Sequence, residues 1–142
     1  MNKLNLTYFF KLILNRHHQI LYYQNAYGIA ICHCLSCRKI TGGTNSVNLL
    51  LPGDKLRVTY GSAKQYTEMH ESGMELTINF CPNCGCMIYK THELFPGKVV
   101  VFAGTLDDPD GLENSKPEAE LFSKRRVRWL PGLSWAEQKE EF

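Results

Sequence analysis

The chain has 142 residues and a mass of 16.3 kDa, the size of one compact domain. With 44% hydrophobic and 21% charged residues it is neither a disordered tail, a collagen-like chain nor a coiled coil. A net charge of +2 is too mild for an electrostatic footprint on phosphates, so nucleic acid is not an expected partner.

The chain opens without acids: Lys3, Lys11, Arg16, Arg38 and Lys39 all precede Asp54, the first acidic residue. The apolar groups Tyr8-Phe9-Phe10 and Leu12-Ile13-Leu14 are cut short by Lys11 and by Asn15-Arg16-His17-His18. A membrane span needs about 20 apolar residues, so no membrane partner is expected and the expected location is the cytoplasm.

From Gly28 onward the pattern is mainly β. A short helix is expected over Arg38 to Thr41, closed by Gly42-Gly43. Strands are expected at Ser46 to Leu51, Lys55 to Tyr60 and Ala63 to His70, parted at hairpin spacing by Pro52-Gly53-Asp54 and Gly61-Ser62. Met74 to Phe80 alternates, with Leu76, Ile78 and Phe80 on one face, and delivers the chain into Cys81. The chain resumes at Met87 to Lys90, so the second cysteine cluster is read as a hairpin tip. Lys98 to Ala103 is an apolar β-branched run suited to a central strand, and Asp107 to Gly111 reads as a turn.

The six cysteines fall into two tight groups: Cys32, Cys34 and Cys37, then Cys81, Cys84 and Cys86. Disulfide frameworks spread their cysteines, whereas a metal knuckle packs thiolates into one turn, and such a soft donor set points to zinc. Two ligand sets fit the spacing. Cys34, Cys37, Cys81 and Cys84 would make a closed structural tetrahedron, or Cys32, Cys34 and Cys37 would make a three-ligand site with one position open to an incoming thiol. Between the ligands, alternation aims His33 away from the ion. Arg38 and Lys39 would neutralise an anionic zinc-thiolate centre or meet a substrate carboxylate. Cys86 reads as a small buried hydrophobe, Met87 and Ile88 as core, and His17 and His18 as solvent-facing. Lys124, Arg125, Arg126 and Arg128 read as a solvated basic face, and Asp107 and Asp108 as turn formers.

The string Cys32-His33-Cys34-Leu35-Ser36-Cys37-Arg38-Lys39, followed by Thr41-Gly42-Gly43, resembles the hallmark of the glutathione-dependent formaldehyde-activating enzyme family, which also contains the centromere protein V type proteins. Phe80-Cys81-Pro82-Asn83-Cys84-Gly85, Ala103-Gly104-Thr105-Leu106-Asp107 and Arg126-Val127-Arg128-Trp129 are similar to its later motifs, in the same order. The resemblance runs from about Gly28 to Trp129, so 25–142 is expected to form the single zinc-binding domain and 1–24 a divergent segment. It implies a β-tent fold and a catalytic zinc on Cys32, Cys34 and Cys37. It also implies a structural zinc that Cys81 and Cys84 share with an earlier Cys-x-Cys, where this chain has Lys11-Leu12-Ile13-Leu14 and its neighbours; Cys86, His17 and His18 are the substitutes at hand. The expected function is that of a carbon-sulfur lyase resembling S-(hydroxymethyl)glutathione synthase, acting on glutathione or a similar small thiol. Arg38 and Lys39 are its candidate substrate contacts. The alternative is a non-catalytic zinc-stabilised binding module.

Overall fold

The computed structural model describes the backbone of residues 10–14, 18–22 and 26–142, with side chains from Ala26 onward. It is mainly β, as the pattern predicts. The strands are β1 (Phe10–Leu14), β2 (His18–Tyr22), β3 (Gly28–Cys32), β4 (Ser46–Pro52), β5 (Leu56–Tyr60), β6 (Lys64–Met69), β7 (Glu75–Phe80), β8 (Met87–His92), β9 (Lys98–Phe102), β10 (Ala119–Leu121) and β11 (Glu137–Gln138). One α-helix, α1 (Leu35–Thr41), follows β3 and ends on Gly42, whose φ of 66° only glycine adopts at little cost. Among the described residues no helix is long and apolar enough to cross a membrane.

Eight strands form one sheet in the order β11-β10-β3-β4-β9-β8-β7-β6, and β1, β2 and β5 form a second. The hairpin spacing around β5 is therefore misleading. Neither β4 and β5 nor β5 and β6 pair: at Gly53, whose N–H donates to the carbonyl of Gly97 over 2.9 Å, the chain leaves the large sheet, and β5 pairs antiparallel with β2. Gly53-Asp54 and Gly61-Ser62 do interrupt the strands, while Pro52 ends β4; what spacing cannot show is that these breaks connect two sheets.

β9 lies between β4 and β8, and its run Val99, Val100, Val101 and Phe102 is buried throughout because both faces of the sheet are covered at this central strand. One face carries Leu49, Leu51, Val99 and Val101, with Leu56 of β5 packed against them. The other carries Ala30 and Cys32 of β3, Asn48 and Leu50 of β4, Val100 of β9, and Lys90 and His92 of β8, and it faces a cavity. On β7 the alternation holds for Leu76 and Ile78 but fails at Phe80. A register shift between Asn79 and Phe80 turns Asn79 inward, where its Oδ1 accepts a 3.0 Å hydrogen bond from Gln65 Nε2, and leaves Phe80 half-buried.

Candidate metal centre and cavity

β3 ends on Cys32 and α1 begins just after Cys34, so one sharp strand-to-helix turn presents three sulfurs. Cys32, Cys34 and Cys37 are all buried, and their Sγ atoms lie within 4.8 Å of one another. The turn is tied locally by the backbone N–H of Cys37, which donates to Cys34 Sγ over 3.3 Å. No fourth ligand atom from His, Cys, Asp or Glu joins this group among the described residues, although Cys34 also lies within the same distance of His70 and Glu71.

Three buried thiols so close cannot ionise independently. Hydrogen bonds from Cys32 and Cys34 hold Cys37 well below the ordinary thiol range, and Lys90 adds to the effect. Cys32 is correspondingly raised by its hydrogen bonds with Cys34 and Cys37 and by burial. The first thiolate therefore forms on Cys37, where Lys90 Nζ donates a 3.0 Å hydrogen bond. Burial alone would push the Lys90 ammonium down, but the adjacent Cys37, with Cys32 and Cys34, outweighs it and holds the group above its usual value. A preformed, buried, partly ionised set of three sulfurs fits a soft divalent ion such as zinc.

His33 points away from this cluster, as alternation predicts, and its Nε2 meets the Glu120 carboxylate at 2.9 Å. Glu120, 1% exposed, also accepts from Leu133 N, Gln138 Nε2 and Arg126 Nη1. The cysteine turn is thus anchored from behind to the C-terminal strands.

In front lies a cavity of about 310 Å³ onto which Cys32, Cys34 and Cys37 open. Its walls are largely apolar, among them Ala30, Leu50, Val100 and Phe142, and its deep polar groups are Lys90, His70, His92 and Asn48. Lys139 and the exposed Glu118 and Glu137 stand at the rim. Both histidine rings accept backbone N–H groups at Nδ1, His70 from Ser72 and His92 from Leu94. Burial lowers both, His92 to about 4, so both are neutral imidazoles at neutral pH.

The other sequence candidates are placed differently. Arg38 and Lys39 are exposed on α1 and are not among the residues lining the cavity. Cys81 and Cys84 sit in the β7–β8 hairpin tip, closed by Cys81 N–H to the Cys86 carbonyl at 2.9 Å. Cys81 is buried, Cys84 exposed, and the half-buried Cys86 packs against the core cluster that includes Leu49 and Ile88. Among the described residues no group of three potential ligands includes Cys81 or Cys84, so the closed Cys34-Cys37-Cys81-Cys84 tetrahedron does not form; His17 and the side chain of His18 lie outside the described residues. The basic C-terminal stretch is largely compensated: Lys124 meets Glu141 at 2.6 Å, Arg125 meets Glu71 at 2.6 Å and Arg126 meets Glu120 at 3.1 Å. Asp108 organises its turn by accepting from the N–H of Asp110.

Sequence reasoning missed Lys90, His70, His92 and Glu120. A signal for two of them existed: Ile88, Lys90 and His92 alternate with Met87, Tyr89 and Thr91, so a cation and an imidazole occupy the buried face of a strand.

A family model described as glutathione-dependent formaldehyde-activating enzyme matches residues 19–125. Comparison with curated proteins finds no match.

Proposed function

The chain belongs to the glutathione-dependent formaldehyde-activating enzyme family, and on that premise we propose that it is a zinc-dependent carbon-sulfur lyase of the S-(hydroxymethyl)glutathione synthase type. Cys32, Cys34 and Cys37 serve as the ligands of the reactive ion, and Cys81 and Cys84 as candidate ligands of a second. One observation carries the reading: three mutually close buried sulfurs open onto a cavity with no fourth ligand atom grouped with them among the described residues. Bound there, zinc would favour the thiolate form of an incoming thiol at neutral pH.

The remaining work falls to the chain's own groups. Lys90 adds its ammonium hydrogen bond to those of Cys32 and Cys34 in favouring the Cys37 thiolate, and so helps prepare the donor set. The apolar walls exclude water and confine a small electrophile beside the thiol, which raises their effective concentration. At the rim, Glu118 and Glu137 suit the ammonium of a glutathione-like peptide and Lys139 suits a carboxylate. Arg38 and Lys39, exposed on α1, could act only on a substrate that reaches beyond the cavity. In the synthetic direction the thiol sulfur attacks the carbonyl carbon and a C–S bond forms. The C=O π pair moves to oxygen, which ends as a hydroxyl carrying the proton that left the thiol. Cleavage is the reverse.

Cobalt substitution tests the reading. The thiolate-to-metal absorption of the cobalt-loaded chain is expected to change on titration with glutathione, and Cys32→Ser, Cys34→Ser and Cys37→Ser are each expected to lose that ion. A spectrum unmoved by saturating glutathione, or metal retained in Cys32→Ser but lost in Cys84→Ser, would overturn it.

A further inference from the structure

A site that handles an electrophile beside its own thiolates faces a selectivity problem, because every cysteine sulfur there is a competing nucleophile. The structure treats these sulfurs unequally. Cys34 Sγ accepts a backbone N–H, from Cys37 at 3.3 Å, whereas Cys37 Sγ accepts the ammonium of Lys90 at 3.0 Å. Lys90 is 6% exposed, and among the described residues no carboxylate forms a salt bridge with it. A lysine so deeply buried is rare unless paired, and here the partner is a sulfur. Its side chain crosses the face of the Phe102 ring, with Nζ 5.1 Å from the centroid, which steers the ammonium onto the cysteine cluster.

We propose that Lys90 is a selectivity-determining residue: its hydrogen bond to Cys37 Sγ keeps that sulfur a metal ligand and suppresses its attack on the electrophile, leaving the substrate thiol to react. The proposal rests on the function proposed above. Three thiolates on a divalent ion leave a net charge of −1, which one ammonium cancels. A charge-assisted hydrogen bond also engages a sulfur lone pair that would otherwise attack carbon. Arg38 and Lys39 lie in solvent, where screening weakens any such effect. The position is fixed by the sheet: Lys90 pairs with Val100 on β9, which places it on the cavity face.

The test is site-resolved alkylation of the zinc-loaded full chain by iodoacetamide, in which a sulfur attacks the reagent's methylene carbon, a C–S bond forms and iodide leaves. Peptide fragmentation reads Cys32, Cys34 and Cys37 separately, with Cys34 as internal reference because its backbone donor is untouched. In Lys90→Met the rate at Cys37 is expected to rise about tenfold or more relative to Cys34, the scale of one charge-assisted hydrogen bond. Lys90→Arg, which keeps a cationic donor, is expected to stay near the parent ratio. Should Lys90→Met not fold, Lys90→Gln, a neutral donor, is expected to give an intermediate ratio. An unchanged ratio, or an equal rise at all three cysteines accompanied by zinc loss, would overturn the proposal, the latter by showing a purely structural role. The labelling ratio is independent of glutathione titration, so failure of the lyase reading and failure of the Lys90 assignment are separate results.

Discussion

The Glu120 carboxylate offers the sharpest test of how the ligand turn is held. It accepts from His33 Nε2 at 2.9 Å, Leu133 N at 2.7 Å, Gln138 Nε2 at 2.6 Å and Arg126 Nη1 at 3.1 Å. Glu120→Ala would strand these donors, of which the His33 ring is fully buried. Breaking a buried charged network from one side costs about 3–5 kcal/mol, a large part of a stability of about 5–15 kcal/mol. At a few degrees per kcal/mol for a chain of this length, the melting temperature should fall by roughly 10 °C or more. Glu120→Gln keeps the shape and one acceptor oxygen, and should cost about 1–3 kcal/mol. Because His33 separates two of the proposed ligands, Cys32 and Cys34, Glu120→Ala should also weaken zinc binding in a competition assay.

The same carboxylate makes a pH prediction. Burial alone would raise Glu120, but hydrogen bonds from His33, Gln138 and Leu133 and the nearby Arg126 outweigh it and hold the carboxyl below its usual range. With the folded value below the unfolded one, the stabilisation is present above the unfolded pKa and is lost as pH falls through the folded value. Urea unfolding of the parent chain should therefore weaken below about pH 4.3, the ordinary Glu value, more steeply than that of Glu120→Gln. A loss under about 1 kcal/mol for Glu120→Ala, or identical acid limbs for parent and Gln variant, would refute the reasoning.

Three further outcomes are expected. Gly42→Val forces a branched residue into φ of 66° at the end of α1, and by calorimetry should lower stability by about 1 kcal/mol or more and loosen the helix that carries Cys37. Gly111→Ala places a Cβ 2.9 Å from Leu106 Cβ and 3.0 Å from the Asp108 carbonyl oxygen, and denaturant titration should show a loss of about 1–3 kcal/mol. His92, lowered to about 4 by burial and by neighbouring His70 and Lys90, against Glu93 and Cys37, binds its proton more readily in the unfolded chain, so stability should decline as pH falls from about 6.5 towards 4. His92→Phe should flatten that part of the profile.

Legibility divided along physical lines. The clustering of the three sulfurs was readable because a thiolate metal knuckle imposes local spacing, and Cys32, Cys34 and Cys37 satisfy it within six residues of chain. The strands β4, β7 and β9 were readable from turn chemistry and burial period, since both are local. Pairing was not: β5 lies close in sequence to β4 and β6, yet pairs with β2, because partner choice depends on which apolar face must be covered. The partners of the site were hidden for the same reason. Lys90 is 53 residues from Cys37, and Glu120 is 87 residues from His33. Nothing in either sequence neighbourhood names its partner.

The division of labour across the large sheet explains how the fold keeps an open cavity and a packed core at once. Adjacent residues on β4 and β9 serve opposite faces: Leu49, Leu51, Val99 and Val101 build the core, while Asn48, Leu50 and Val100 line the cavity. A cavity face gives up packing, since space left for a ligand is dispersion forgone by the walls. The loss is offset on the core face of the same strands, so the backbone that positions the cavity is fixed by contacts the ligand never touches. The ligand turn follows the same logic. Its sulfurs face the cavity and Lys90, whereas His33, between two of them, is locked to Glu120 behind. A substitution on the core face should therefore reduce stability and zinc affinity together, while one confined to the cavity wall should change ligand selectivity with little effect on unfolding.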